Sequence, residues 1–230
     1  YGINEIDMFD GLFSVNPNRV IKICKEIKRR KLKLRWSFRT RVDLVTEEML
    51  GELKEAGCVR IYYGIESGDE TILKNINKRV DIDMIKKVVS LTKQKGIDTF
   101  GYFMIGNPGE NKDTIKKTIG LMLTLPLDYV QISPVFPPPN TALYKVLKRQ
   151  TGKDYWAEYT LSPDKNNLPP RYGTKLTDKQ IKKYVRECYL KFYLRCSYIL
   201  KFIIKLRSWD EFARSAKALE NMIFSFYFDN

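Results

Sequence analysis

The 230-residue chain contains no histidine. Serine–histidine triads, histidine general bases and zinc sites built on His-x-Glu or His-Glu-x-x-His are excluded for this stretch, so catalysis must draw on carboxylates, amines, hydroxyls or a bound cofactor. Cysteine is scarce: Cys24, Cys58, Cys188 and Cys196 are too scattered for a Cys-x-x-Cys pair, and in a chain this long they do not suggest a disulfide framework. A reducing, cytoplasmic setting fits that usage, and no metal ligand is expected among them. Lys191, Arg195, Lys201 and Lys205 interrupt the C-terminal apolar run, so no transmembrane helix is expected there. The first residue is Tyr1, and Tyr1 to Phe13 reads as folded sequence without a signal peptide, which leads to the expectation of a fragment.

What is present is an ordinary globular composition, 43% hydrophobic and 30% charged. Lys and Arg number 41 against 27 Asp and Glu, a net charge of +14. Residues 145–230 hold 18 of the basic and 9 of the acidic residues, so the excess belongs mainly to the last third. Nucleic acid, an anionic membrane or an anionic cosubstrate are the partners such a balance raises.

The first 144 residues alternate apolar, β-branched strands with amphipathic helices, the rhythm of parallel strands joined by crossovers. Strands are predicted near Asn4–Phe9, Leu34–Arg39, Val59–Ile65, Asp98–Ile105 and Asp128–Ser133. Asn16-Pro17-Asn18, Thr46, Asp69, Asp81 and Asn111 read as helix starts, and Gly57 and Gly96 as stops. No Gly-x-Gly-x-x-Gly follows the first strand, so a barrel or partial barrel is a better expectation than a dinucleotide-binding sheet. Residues 145–176 read as a Pro- and aromatic-rich linker. Residues 177–230 read as a basic helical extension, one helix from Thr177 or Asp178 to about Leu206 and another from Trp209 to Phe228.

Barrel chemistry sits where strands end. There the sequence offers Asp10 in Asp10-Gly11, either a rim carboxylate or a turn residue. Arg39 and Arg41 suit a carboxylate or phosphate guest, or a salt bridge to Asp43. Glu66 and Ser67, between Gly64 and Gly68, could bind a vicinal diol such as a ribose. Ile105 and Gly106 end an apolar strand that could hold a flat base, or form a turn with Glu110 near the next helix start. Gln131 and Ser133 close the fifth strand ahead of a stiff proline run.

In the segments Phe9-Asp10-Gly11-Leu12-Phe13-Ser14-Val15-Asn16, Trp36-Ser37-Phe38-Arg39-Thr40-Arg41-Val42-Asp43, Ala56-Gly57-Cys58, Gly64-Ile65-Glu66-Ser67-Gly68 and Gly101 to Glu110, the sequence resembles radical S-adenosylmethionine (radical SAM) enzymes. Their order and spacing are similar to those of the subgroup that carries an N-terminal cobalamin-binding domain. The resemblance implies an α/β fold, a partial (β/α)6 TIM-like barrel, here missing its first β/α unit and followed by an α-helical C-terminal extension. It implies S-adenosylmethionine cleaved reductively by a four-iron four-sulfur (4Fe-4S) cluster to a 5′-deoxyadenosyl radical, a flavodoxin- or ferredoxin-type redox partner, and cobalamin in the parent protein. By carry-over Asp10 meets the methionine amino group and Arg41 with Arg39 the carboxylate. Glu66 and Ser67 serve the ribose, Ile105 and Gly106 the adenine, and Gln131 joins the cofactor-binding set.

The family's Cys-x-x-x-Cys-x-x-Cys loop is not among these residues, Gly11 stands where a second acidic residue is usual, and Pro138-Pro139-Asn140-Thr141 replaces Pro-Gly-Thr. The chain by itself is therefore expected to be inactive. Methyl transfer, ring formation and rearrangement stay open as reactions. Two other readings stand beside this one: a non-catalytic module binding RNA or an anionic membrane through residues 177–228, and a barrel that binds a nucleotide without radical chemistry.

Overall fold

A computed structural model describes residues 3, 5–164, 168–205 and 217. Five strands, β1 (Glu5–Met8), β2 (Arg35–Arg41), β3 (Cys58–Glu66), β4 (Asp98–Ile105) and β5 (Tyr129–Pro134), form one sheet in sequential order, every neighbouring pair parallel. Parallel neighbours require crossovers, and right-handed crossovers in sequential order place every helix on the same face, so the sheet curls into a half-barrel with its helices outside. The helices are α1 (Pro17–Arg29), α2 (Glu47–Glu55), α3 (Glu70–Asn75), α4 (Ile82–Gln94) and α5 (Lys112–Thr124).

Each helix start is written in the side chain before it. Asn16 accepts the Arg19 amide, Thr46 that of Met49, Asp69 those of Thr71 and Ile72, Asp81 that of Met84, and Asn111 forms a capping box with Thr114. Gly57, at φ +86°, stops α2 and lets β3 begin; a Cβ there would stand 2.1 Å from the Leu34 carbonyl oxygen.

Strand alternation sorts side chains between two faces. The outer face carries Trp36, Phe38, Ile61, Tyr63, Ile65, Phe103, Ile105, Val130 and Ile132, all buried under the helices. Its polar groups are satisfied: Trp36 Nε1 donates to the Ala56 carbonyl at 2.8 Å, and the Tyr63 and Thr92 hydroxyls lie 2.7 Å apart. Opposite them, the inner face carries Asp7, Arg39, Arg41, Arg60, Tyr62, Tyr102, Tyr129 and Gln131, all partly or fully exposed.

Two boundaries differ from the sequence reading in a way that matters. β2 runs to Arg41 and β3 to Glu66, because their ladders continue through Arg41↔Gly64 and Glu66↔Phe103. Both residues thus end strands instead of entering loops. In the stretch read as a linker, α6 (Ala142–Thr151) and α7 (Tyr155–Leu161) are helical. Asp154 joins them, accepting from the Tyr144 hydroxyl and the Ala157 amide and pairing with Lys148, while Trp156 Nε1 donates to the Pro137 carbonyl at 2.9 Å.

The chain divides into two compact units, residues 1–176 and 177–230. In the second, α8 (Asp178–Tyr193) starts in a Thr177–Gln180 capping box and buries Ile181, Val185, Cys188 and Phe192 along one stripe. The single helix expected to about Leu206 is instead broken at Leu194, and α9 (Cys196–Lys205) follows. The break sets Tyr198 edge-on to Tyr193 at 5.0 Å, a contact five residues apart that a straight helix would not make, and Arg195 lies over the Phe192 ring at 4.1 Å. The helix expected at Trp209–Phe228 lies outside the described residues. Among the described residues no helix is long and apolar enough to cross a membrane.

Candidate functional site

At the C-terminal ends of β1 to β4 a cleft of about 210 Å³ opens between Gly11-Leu12, Arg39 to Arg41, Tyr62, Gly64, Glu66, Lys78 and Tyr102. Its volume is below the roughly 300 Å³ at which small-molecule sites usually begin, so it matches part of such a ligand. A larger cavity of about 480 Å³ opens near Ile27, Lys31, Leu34 and Gly57. That one sits on the opposite rim, where strands begin, away from the end at which such barrels place their chemistry.

Three ion pairs organise the cleft. Arg41 donates from Nε and Nη2 to the two Asp43 oxygens, both at 2.9 Å, and this fork holds the Asp43 carboxyl below the usual range. Arg39 pairs with Asp7 at 2.9 Å and stacks over Phe9 and Tyr62 at 4.3 and 4.8 Å. Lys78 Nζ donates to Glu66 Oε1 at 3.0 Å, the most sheltered of the three pairs.

Glu66 carries the geometry that asks for a reason. A β-bulge interrupts the β3–β4 register between Gly64 and Glu66, and Glu66 itself holds φ at +71°. A left-handed backbone at a long side chain costs on the order of 1–2 kcal/mol and persists where surrounding structure enforces it, typically at functional sites. Gly64 makes the arrangement possible, since a Cβ there would stand 2.6 Å from Glu66 Oε1 and 3.0 Å from Lys78 Nζ.

The structure therefore brings Arg39, Arg41 and Glu66 to one cleft and places the other predicted site residues elsewhere. Asp10 turns to Arg19 at 2.9 Å and accepts the Leu12 amide; these bonds, the amide's first, lower its pKa. The buried Ser67 hydroxyl is bonded to Thr118 and to the Asp69 amide, so it ties the loop to α5. Ile105 is buried, with its carbonyl already accepting the Val135 amide. The Gly106 and Asn107 amides donate to Glu110 Oε2, which makes this segment a turn closed by a buried carboxyl. Burial raises the pKa of Glu110. Gln131 is exposed beside Ser133.

Lys78, Tyr62, Tyr102 and Asp7 line or brace the cleft and were not among the residues read from the sequence. The tyrosines and Asp7 were reachable through period-two alternation, since Tyr62 lies two residues before Gly64 and Tyr102 lies beside Gly64 in register. Lys78 had no signal. It is placed by Asn77 at φ +58° and by its own amide bonding to the Leu73 carbonyl at 2.8 Å.

The cysteines do not fit an iron–sulfur cluster. Cys24 and Cys58 are buried, and burial pushes both thiols up, Cys24 to about 11, so neither is a ready thiolate. Among the described residues no group of three or more Cys, His, Asp or Glu side chains converges. The cleft, by contrast, sets guanidiniums suited to a carboxylate and a strained carboxylate suited to hydroxyls at one rim.

Comparison with known proteins adds an independent line. The family model described as Radical SAM superfamily matches residues 1–122. The chain is 33% identical over 208 residues to an uncharacterized methyltransferase of Pyrococcus horikoshii, covering 89% of this chain and 44% of that protein. It is 26% identical over 200 residues to an anaerobic magnesium-protoporphyrin IX monomethyl ester cyclase of Cereibacter sphaeroides, covering 85% and 32%. Thus the chain spans less than half the length of either relative. Among solved structures, the radical S-adenosylmethionine methyltransferase TsrM of Kitasatospora setae, with cobalamin and a [4Fe-4S] cluster bound, superposes with TM-score 0.61 at 20% identity, over 65% of this chain and 29% of that one. The cobalamin-dependent S-adenosylmethionine radical enzyme OxsB, with aqua-cobalamin and S-adenosylmethionine bound, gives 0.55 at 18%, over 98% and 39%. These two likenesses establish the fold.

Proposed function

The chain belongs to the radical SAM superfamily, and from that premise we propose that its rim cleft is the methionine- and ribose-binding part of an S-adenosylmethionine site in a longer enzyme of the methyltransferase or cyclase type. The observation that carries this reading is the convergence of Arg39, Arg41 and Glu66 at one strand-end cleft, Glu66 in a left-handed backbone. S-adenosylmethionine, reduced at a four-iron cluster, supplies an adenosyl carbon radical able to take hydrogen from unactivated carbon.

The residues of this chain bind and orient. Arg41 keeps Nη1 outside its fork to Asp43, and Arg39, bonded to Asp7 through Nη1 and also to Tyr102, carries five N–H donors in all, so each guanidinium has donors left for a carboxylate. Glu66, its Oε1 held by Lys78, keeps Oε2 for a ribose diol. Asp10 would have to exchange Arg19 for the ligand's ammonium group. Cluster ligands and cobalamin would come from parts of the longer protein, since the described cysteines do not fit them.

The test is calorimetry of the chain with S-adenosylmethionine against ATP. We expect weak but selective S-adenosylmethionine binding that falls about tenfold in Arg41→Gln and Glu66→Gln, the loss of one charge-assisted hydrogen bond. Equal or tighter ATP binding would assign the cleft to a nucleotide and remove the radical reading from it.

A further inference from the structure

The inner face of the half-barrel differs from the interior of an ordinary (β/α) barrel, which branched aliphatic side chains fill in layers. Here the inward positions of β3, β4 and β5 carry a continuous aromatic wall. Tyr62 lies 4.8 Å from Phe100 and 6.0 Å from Tyr102, Phe100 lies 5.1 Å from Tyr102, and Phe100 lies 6.1 Å from Tyr129, centroid to centroid. All four rings keep some solvent exposure. At the lower end Arg60 lies over the Tyr129 ring at 4.7 Å, 3.9 Å from Asp98, and its Nε has no hydrogen-bond partner. At the upper end Tyr62 and Tyr102 are also walls of the rim cleft.

We propose that this wall binds the substrate, and that the substrate is an aromatic or conjugated molecule carrying an anionic group. Four adjoining rings favour a π system over an aliphatic of equal size, because ring–ring contacts add to simple burial. Arg60, always charged and 3.9 Å from the Asp98 carboxylate, the outer limit of an ion pair, favours a carboxylate or phosphate at the far end. Continuity through Tyr62 and Tyr102 places such a molecule beside whatever fills the cleft, the proximity a radical transfer needs. The inference rests on the cofactor reading above and names the substrate class for the wall that adjoins that cleft.

Three isosteric probes test it on the full chain: 2-naphthoate, its saturated twin decahydro-2-naphthoate, and the uncharged 2-naphthalenemethanol, each titrated by calorimetry. We expect 2-naphthoate to bind tightest, about fivefold over the saturated twin and about tenfold over the alcohol. Phe100→Leu should collapse the first ratio and leave the second. Arg60→Gln should do the reverse, and Arg60→Lys should keep part of the charge preference, which covers the case in which the Gln variant does not fold. Both variants should bind S-adenosylmethionine within twofold of the parent. Equal affinity for the three probes, or ratios unmoved by both substitutions, would overturn the substrate class. Failure of the cofactor reading would show separately, as S-adenosylmethionine binding insensitive to Arg41→Gln.

Discussion

The two faces of this sheet are made from the same strands, residue by residue in alternation, and share almost no chemistry. Outward lie Trp36, Phe38, Ile61, Ile65, Phe103 and Ile132, all at most 3% exposed. Inward lie three arginines, paired aspartates and half-exposed tyrosines. One face therefore holds the fold together and the other keeps hydrogen-bonding groups available, a division in which stability and binding are separable by a one-residue step. Adjacent residues test it with the largest effect. Phe38→Ala, on the outer face among Phe13 and Trp36, should cost about 3–5 kcal/mol in urea unfolding. Its neighbour Arg39→Met should cost no more than about 1 kcal/mol, the range of a partly exposed ion pair, while weakening ligand binding. Comparable losses from both would mean that the inner face is structural core.

Two glycines repeat the comparison at smaller scale. Gly101 faces outward, where a Cβ would stand 2.9 Å from Leu127 Cδ1, 3.0 Å from Phe103 and 3.2 Å from Ile65. Gly101→Ala should therefore overpack the core by about 1–3 kcal/mol. Gly64, paired with Tyr102 one register step away, faces inward against the flexible ends of Glu66 and Lys78. Gly64→Ala should leave the urea midpoint within about 0.5 kcal/mol of the parent, the usual range for substitutions outside the core, yet displace Glu66 and abolish selective S-adenosylmethionine binding.

How much of this was legible in the sequence follows the same division. The outer face announces itself through alternation and apolar runs, and the helix starts through Asn16, Thr46, Asp69, Asp81 and Asn111, because local hydrogen bonds and burial decide them. That Arg39, Arg41 and Glu66 share one cleft was legible because they end strands. The Ser67 hydroxyl and the Gly106 amide lie outside the cleft for a local reason: they bond to Thr118 and Glu110, partners set by loop closure that the sequence does not display. Lys78 was invisible because it reaches the cleft through tertiary placement, in a turn with no motif of its own.

Backbone strain at Glu66 gives a test of about 1 kcal/mol. Glu66→Gly and Glu66→Ala both remove the bond to Lys78, but only glycine accepts φ +71° freely. The Gly variant should thus be more stable than the Ala variant by about 1 kcal/mol, measured by urea midpoint, with both losing the ligand. Equal stabilities would show that the bulge relaxes when the carboxylate leaves, and the strain would then belong to the ion pair and not to the fold.

The smallest effects should differ in sign between the two environments. Asp43, on the exposed inner rim, has a pKa lowered by Arg41, so its stabilising contribution is present above its unfolded value of 3.8 and is lost as pH falls through the lower folded value. Glu110, buried behind the strand ends, has a pKa raised by burial. Its neutral form is the favoured one in the fold, so its contribution is present below 4.5 and is lost as pH rises through the higher folded value. Urea midpoints between pH 3 and pH 7 separate the two. Relative to the parent, Asp43→Asn should lose its disadvantage as pH falls, by no more than about 1 kcal/mol for a pair this exposed. Glu110→Gln, which cannot ionise, should gain on the parent as pH rises. Slopes of the same sign in both variants would mean that Glu110 is held as a carboxylate by the Gly106 and Asn107 amides more strongly than burial opposes it, and the buried side of the sheet would then tolerate a charge that only the inner face was expected to carry.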